Sequence, residues 1–139
     1  MNQYQSAMII LNGKQANHAE LRKAITHLRN EGHQIQVRIP WELDDTYYFI
    51  SQAIKHGVDT IIAAGGDGTV NAVASTLMKF PSDSRPTLGI LPMGTANDFA
   101  TSANIPLDIE AALALSLKGK AVPIDIAQVN KQYYFLNMA

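Results

Sequence analysis

Two stretches of this 139-residue sequence place polar and glycine residues where phosphate chemistry would need them. The first is IIAAGGDGTVNAV, in which an apolar run meets Gly65, Gly66, Asp67 and Gly68 and then a helical pattern. Glycines there permit positive φ and let backbone N–H groups approach a phosphate with no Cβ between. The helix start adds unpaired N–H groups and partial positive charge. Thr69 and Asn71 put a hydroxyl and an amide in the first turn, within reach of ribose or phosphate oxygens. A carboxylate at Asp67 repels phosphate unless a cation, a substrate hydroxyl or a donor network uses it. A tight strand-to-helix turn explains the glycines alone, but it does not explain Asp67.

The second stretch is ILPMGTANDFATS. Pro92 ends a strand, Gly94 allows a sharp turn, and Thr95, Asn97 and Asp98 cluster polar groups, with Phe99 and Ala100 packing inward. Read blandly, Thr95 is an N-cap with Asp98 in the capping-box region. Neither common glycine motif fits. A Walker A loop fails because Gln15 follows Gly13-Lys14 and Met8 stands at the first glycine position. A dinucleotide fingerprint on Gly66 and Gly68 meets Asn71 where it wants glycine.

The elements that must position these loops alternate. Strands are expected at 7–11, 34–39, 58–64 and 87–91, and at 122–129 and 132–138 joined by a turn at Asn130-Lys131. The first helix starts at Asn17, buries Leu21, Ala24, Ile25 and Leu28, and ends at Gly32. A second starts at Asp44 or Asp45, turns Tyr47, Ile50, Ala53 and Ile54 inward, and closes at Gly57. A third carries Val70, Val73, Ala74 and Leu77, and a fourth runs over 108–118 between Asp108 and Gly119. This predicts an α/β fold: a three-layer, mostly parallel Rossmann-like sheet with a C-terminal β-hairpin. Ligands bind such sheets beyond the carboxyl ends of the strands, where both polar loops lie.

Composition sets bounds. With 47% hydrophobic and 17% charged residues the chain reads as one globular domain. Eleven basic and 12 acidic residues, net charge −1, supply no electrostatic reason to expect nucleic acid or an anionic membrane. The absence of cysteine removes disulfides and thiolate metal sites and fits a cytoplasmic location. The apolar run from Ala7 to Leu11 is too short for a signal peptide, and no run approaches a membrane span. The chain stops at Ala139 within the strand-like YYFLNMA, so the expectation is a fragment.

Gly65-Gly66-Asp67-Gly68-Thr69, then Asn71, then Leu91-Pro92-Met93-Gly94-Thr95-Ala96-Asn97-Asp98-Phe99-Ala100 resembles the diacylglycerol kinase catalytic superfamily, most closely its YegS-type bacterial lipid kinases. Asn12-Gly13-Lys14, Trp41 and the closing IDIAQVNK resemble that branch too. GGDG alone is shared with NAD kinases and phosphofructokinases; GGDGT followed by GTANDFA is more specific. The resemblance implies the NAD kinase/diacylglycerol kinase type of sheet, with residues 1–139 as the nucleotide-binding domain and a β-rich second domain beyond it. It implies ATP as donor, Mg2+ (with Ca2+ able to substitute), and a lipid acceptor such as phosphatidylglycerol or diacylglycerol, met from the aqueous side. A homodimer is left open.

By that resemblance Gly66, Asp67, Gly68, Thr69, Val70, Asn71, Ala72 and Thr95 contact the nucleotide. Gly65, Gly94 and Asn97 flank them, and Pro40 and Lys14 lie at the margin. The resemblance puts the metal ligands and the proton acceptor in the second domain, beyond Ala139. That leaves Asp67 and Asp98 to touch a cation only through water, and Asp67 as a candidate base. Two positions depart from the pattern: Ala72 replaces a glutamate, and Pro40 replaces a hydroxyl residue and offers no N–H. His18, His27, His33 and His56 are read as solvated or capping, and Tyr47, Tyr48 and Phe49 as core plus a solvated ring. Trp41, at the ligand edge, has the option of stacking on adenine. The other readings are an NAD kinase-like enzyme and a non-catalytic nucleotide sensor.

Overall fold

The computed structural model describes residues 5–42, 44–94, 97, 100–101, 104–119, 124–129 and 133–138, the last two stretches by backbone alone. Strands β1 (Ser6–Leu11), β2 (Gln34–Arg38), β3 (Thr60–Gly65) and β4 (Thr87–Pro92) form one sheet in the order β2-β1-β3-β4. Every pairing in it is parallel. Strands β5 (Ile124–Val129) and β6 (Tyr133–Met138) pair antiparallel as the expected hairpin. Its turn at Asn130-Lys131 lies outside the described residues, and so does Ala139. The strand-like run YYFLNMA contains β6 (Tyr133–Met138). The expectation that metal ligands and a proton acceptor follow Ala139 concerns sequence outside this chain and stays an expectation.

Among the described residues four helices with defined bounds cover the sheet: α1 (Ala19–Asn30), α2 (Asp45–Lys55), α3 (Asp67–Leu77) and α4 (Ile109–Lys118). Alternate strand residues separate into two cores because successive side chains point to opposite faces. Ile9, Leu11, Ile62, Ala64 and Leu91 meet α1 and α4. Met8, Ile10, Ile61, Ala63 and Ile90 meet α2 and α3. A sheet covered on both faces requires near-continuous apolar strands, and β3 is buried along its whole length.

The ends of α1 and α2 follow one rule. Gly32 (φ 110°) and Gly57 (φ 71°) adopt the left-handed conformation that glycine takes without strain. The next amides, of His33 and Val58, reach back to Leu28 and Ala53 carbonyls at 3.2 and 2.9 Å, which completes Schellman caps. α4 starts as expected, with Asp108 accepting from the Ala111 N–H at 2.9 Å.

Three expectations are corrected. The cap of α1 is His18, with no side-chain cap bond, because Asn17 Oδ1 instead accepts from Arg22 at 3.4 Å. Tyr47 is 45% exposed rather than inward, since its ring stacks on Phe80 at 4.9 Å on the rim of the core. His33 is buried rather than solvated, and its Nδ1 accepts from the Gln5 N–H at 3.1 Å. Two other histidines have local roles, His27 pairing with Glu31 and His56 bonding the Gln52 carbonyl.

Candidate nucleotide site at the carboxyl edge of the sheet

The order β2-β1-β3-β4 changes direction between β1 and β3. The helix after β1 packs on one face and the helix after β3 on the other. Their loops therefore diverge and leave a crevice, the usual ligand position in an open α/β sheet. Three of the loops at this edge, those after β1, β3 and β4, are fixed to one another by hydrogen bonds and close contacts.

The loop after β3 is the glycine run. Gly66 is the N-cap of α3 at φ −90°, ψ −167°, and its carbonyl accepts from Val70 N–H at 3.1 Å. The first amides of any helix have no carbonyl one turn back, so the amides after Gly66 head the α3 dipole. Gly68 is exposed, and among the described residues a Cβ there would meet nothing within 4 Å. That open space above a helix start is what a phosphate oxygen requires.

Of the two uses expected of these glycines, positive φ is not found and the absence of a Cβ is. Among the described residues positive φ occurs at Gly32, Gly57, Asn97 and Asn104, and at none of Gly65, Gly66, Gly68 or Gly94. What these loops need is the absence of side chains. A Cβ on Gly94 would overlap Gly66 Cα and lie 3.0 Å from Gly66 N. A Cβ on Gly65 would lie 2.5 Å from Thr69 Oγ1, so the Thr69 side chain folds back against the strand end. The two polar loops are in backbone contact.

The loop after β4 is shaped by Asn97, which is held at φ 54°. Its Oδ1 accepts from Gly94 N–H and its Nδ2 donates to Gly94 O, both at 2.9 Å. Asn97 thus holds the turn closed. Upstream, Met93 N–H donates to Gly65 O at 2.9 Å. Thr95, Asp98 and Phe99 lie outside the described residues, and Ala100 is buried as expected.

The loop after β1 closes the set. Asn12 N–H donates to Ala64 O at 3.0 Å, and Asn12 Oδ1 accepts from Lys14 N–H at 3.0 Å. Gln15 Nε2 donates to Met93 O at 3.1 Å, across 78 residues of sequence. Sequence reading missed Gln15, and no local pattern marks it.

The remaining predicted residues fall as follows. Asp67 is the first residue of α3, half-buried, where a carboxylate suits the helix dipole. Val70 is buried in the core and its N–H is taken by Gly66, so it supports the loop from beneath. Asn71 is half-buried and Ala72 exposed on the first turns of α3, while Lys14 is exposed in the loop after β1. Pro40 is half-buried two residues beyond β2, on the same edge but two strands from β3. Among the described residues no three His, Asp or Glu side chains lie together as a metal site.

Beyond Pro40 the chain is held by Asp45, whose Oδ2 accepts from Trp41 N–H at 2.8 Å and Glu42 N–H at 2.9 Å. These bonds, Glu42 first and then Trp41, keep the Asp45 carboxyl below the ordinary carboxylate range. A lowered folded pKa stabilises the turn above the ordinary value, and that stabilisation is lost as pH falls through the folded one. Trp41 is the sole tryptophan, 90% exposed. Its emission anisotropy should therefore be constant near neutrality and fall in acid below about pH 4. Asp45→Ala should show the low value at every pH, and an acid-insensitive wild type would refute the lock.

Known proteins share this fold. Residues 6–129 match the model of the diacylglycerol kinase catalytic domain. Two relatives, each named "Probable lipid kinase YegS-like", come from Yersinia pestis (strain Pestoides F) and Yersinia pseudotuberculosis serotype O:1b (strain IP 31758). Both are 55% identical over 132 residues, which is 95% of this chain and 45% of each relative. The crystal structure of a diacylglycerol kinase from Bacillus anthracis str. Sterne superposes with a TM-score of 0.79 at 30% identity, over 97% of this chain and 47% of that one. The chain spans about half the length of the relatives it matches and belongs to the diacylglycerol kinase catalytic domain family.

Proposed function

We infer that the chain is the nucleotide-binding part of an ATP-dependent lipid kinase. In this reading the γ-phosphate of ATP passes to a lipid hydroxyl, on phosphatidylglycerol or diacylglycerol. The observation that carries it is the contact between Gly66 and Gly94, which sets the head of α3 and the turn after β4 side by side, with Gly68 exposed on the first turn of α3. Helix-head amides and uncovered glycine backbone are suited to a triphosphate tail. The family and its YegS-like members support a lipid as acceptor.

The chain's own residues bind and orient. Amides at the start of α3 take phosphate oxygens, Asn97 holds the turn opposite, and Gln15 fixes that turn to the loop after β1. Catalysis of this kind rests mostly on positioning and charge stabilisation. A divalent ion, when bound, neutralises phosphate charge. Asp67 is the one carboxylate of the glycine loop able to meet it, through water, and other ligands come from the nucleotide and from sequence beyond Ala139. In this reading acceptor recognition and the proton acceptor also belong to sequence outside this chain. No helix among the described residues is long and apolar enough to cross a membrane, and in this reading the lipid is met from the aqueous side.

The test offers the full-length protein labelled MgATP with phosphatidylglycerol, diacylglycerol and NAD in parallel. Label on a lipid is expected, with this chain alone transferring none. Label on NAD, or on nothing, overturns the acceptor class, and lipid phosphorylation by the isolated chain overturns the division of labour.

A further inference from the structure

Among the described residues Trp41 is the most exposed of the large hydrophobic side chains, at 90%. It stands on a turn held at two consecutive amides by Asp45, directly after half-buried Pro40, whose ring fixes φ. An indole so uncovered on so constrained a backbone is a preformed flat surface. It also stands on the carboxyl edge of the sheet, the edge that carries the glycine loops. Strand β2 lies two places from β3. Neighbouring strands are about 4.8 Å apart, so the exits of β2 and β3 are separated by about 10 Å. A nucleotide whose phosphates sit at the head of α3 and whose sugar crosses the exit of β1 brings its base over that of β2.

We propose that Trp41 is the base platform of the nucleotide site and holds the purine by stacking on its face. The proposal rests on the nucleotide-binding reading given above. Polar groups nearby support a face contact over edge recognition by the backbone. Pro40 has no N–H, and the N–H groups of Trp41 and Glu42 are both taken by Asp45, so none of residues 40–42 has a free amide to read a base edge. The turn is also acidic, with Glu42, Asp44 and Asp45, which disfavours the other use of an exposed tryptophan, insertion among anionic lipid headgroups.

The test uses calorimetry on the full-length protein, with MgATP and magnesium tripolyphosphate as ligands and Trp41→Ala and Trp41→Phe as variants. Trp41 is exposed and outside the core, so both variants should keep the wild-type melting temperature. Trp41→Ala is expected to weaken MgATP about tenfold, or 1.4 kcal/mol, in the manner of other base–aromatic stacks. It should leave tripolyphosphate unchanged, because that ligand has no base. Trp41→Phe, which keeps a ring, should recover most of the loss. Tripolyphosphate that competes with ATP, combined with undiminished ATP affinity in Trp41→Ala, would overturn the platform and leave the phosphate site standing. Tripolyphosphate that fails to compete with ATP would overturn both. Loss of binding to anionic vesicles by Trp41→Ala, with ATP affinity intact, would assign the indole to a membrane instead.

Discussion

Gly94→Ala should weaken nucleotide binding by about a hundredfold, the scale of an ångström-level misplacement in a catalytic site. It should also lower the melting temperature by roughly 5–10 °C, the equivalent of about 1–3 kcal/mol of overpacking. The added methyl overlaps Gly66 Cα and crowds Gly66 N, and both are backbone atoms with no rotamer to yield. Relief must come from parting the two loops, which spreads the phosphate cradle. Gly68→Ala is the informative contrast. Its Cβ meets nothing within 4 Å among the described residues, and alanine is the better helix former by up to about 1 kcal/mol. This variant should melt at the wild-type temperature or above, yet bind MgATP about tenfold more weakly because the methyl occupies the phosphate's space. Thermal melts with calorimetry separate the two. If Gly94→Ala kept both stability and affinity, the loops would not meet as described.

Asp67→Asn should cut lipid phosphorylation by the full-length protein by about two orders of magnitude or more, the scale of losing a group that orders charge at a transferring phosphoryl. The change preserves shape. As the first residue of α3, Asp67 favours the helix dipole by no more than about 1 kcal/mol, so the fold should survive. The sign of the binding change distinguishes function from structure. Without magnesium, removing a negative charge beside a triphosphate should strengthen ATP binding, because repulsion is relieved. With magnesium, the same change should weaken it, because the ion's water network loses its anchor. A carboxylate that serves only the helix would shift both affinities alike. Equal affinities with full turnover would remove Asp67 from the mechanism.

Much of this arrangement was legible in the chain's periodicity. The runs AMIIL, QIQVRI and TLGIL and the Leu21–Leu28 and Val70–Leu77 stripes mark strands and helices by apolar spacing, and these elements formed where expected. Strand order was not legible, because register and neighbour depend on pairings between distant segments. The glycines show the limit more finely. Glycine at 65, 66 and 94 is compatible with positive φ or with close approach, and a sequence cannot distinguish them; only the second holds here. His33 and Tyr47 were misplaced for a related reason, since a polar-tipped side chain can lie on either side of the core boundary. Gln15 escaped notice because its carbonyl partner is 78 residues away.

The ladder of the sheet continues past its formal ends. Asn12 N–H meets Ala64 O, and Met93 N–H meets Gly65 O, each one residue after its own strand has finished. The rim of the crevice is thereby an extension of the hydrogen-bonded sheet. Its ordering entropy is spent when the chain folds and is not charged again to an incoming ligand. Amide exchange at Asn12 and Met93 will accordingly be as slow as in the strands themselves, and any hinge that admits or releases a substrate has to be sought away from this lip.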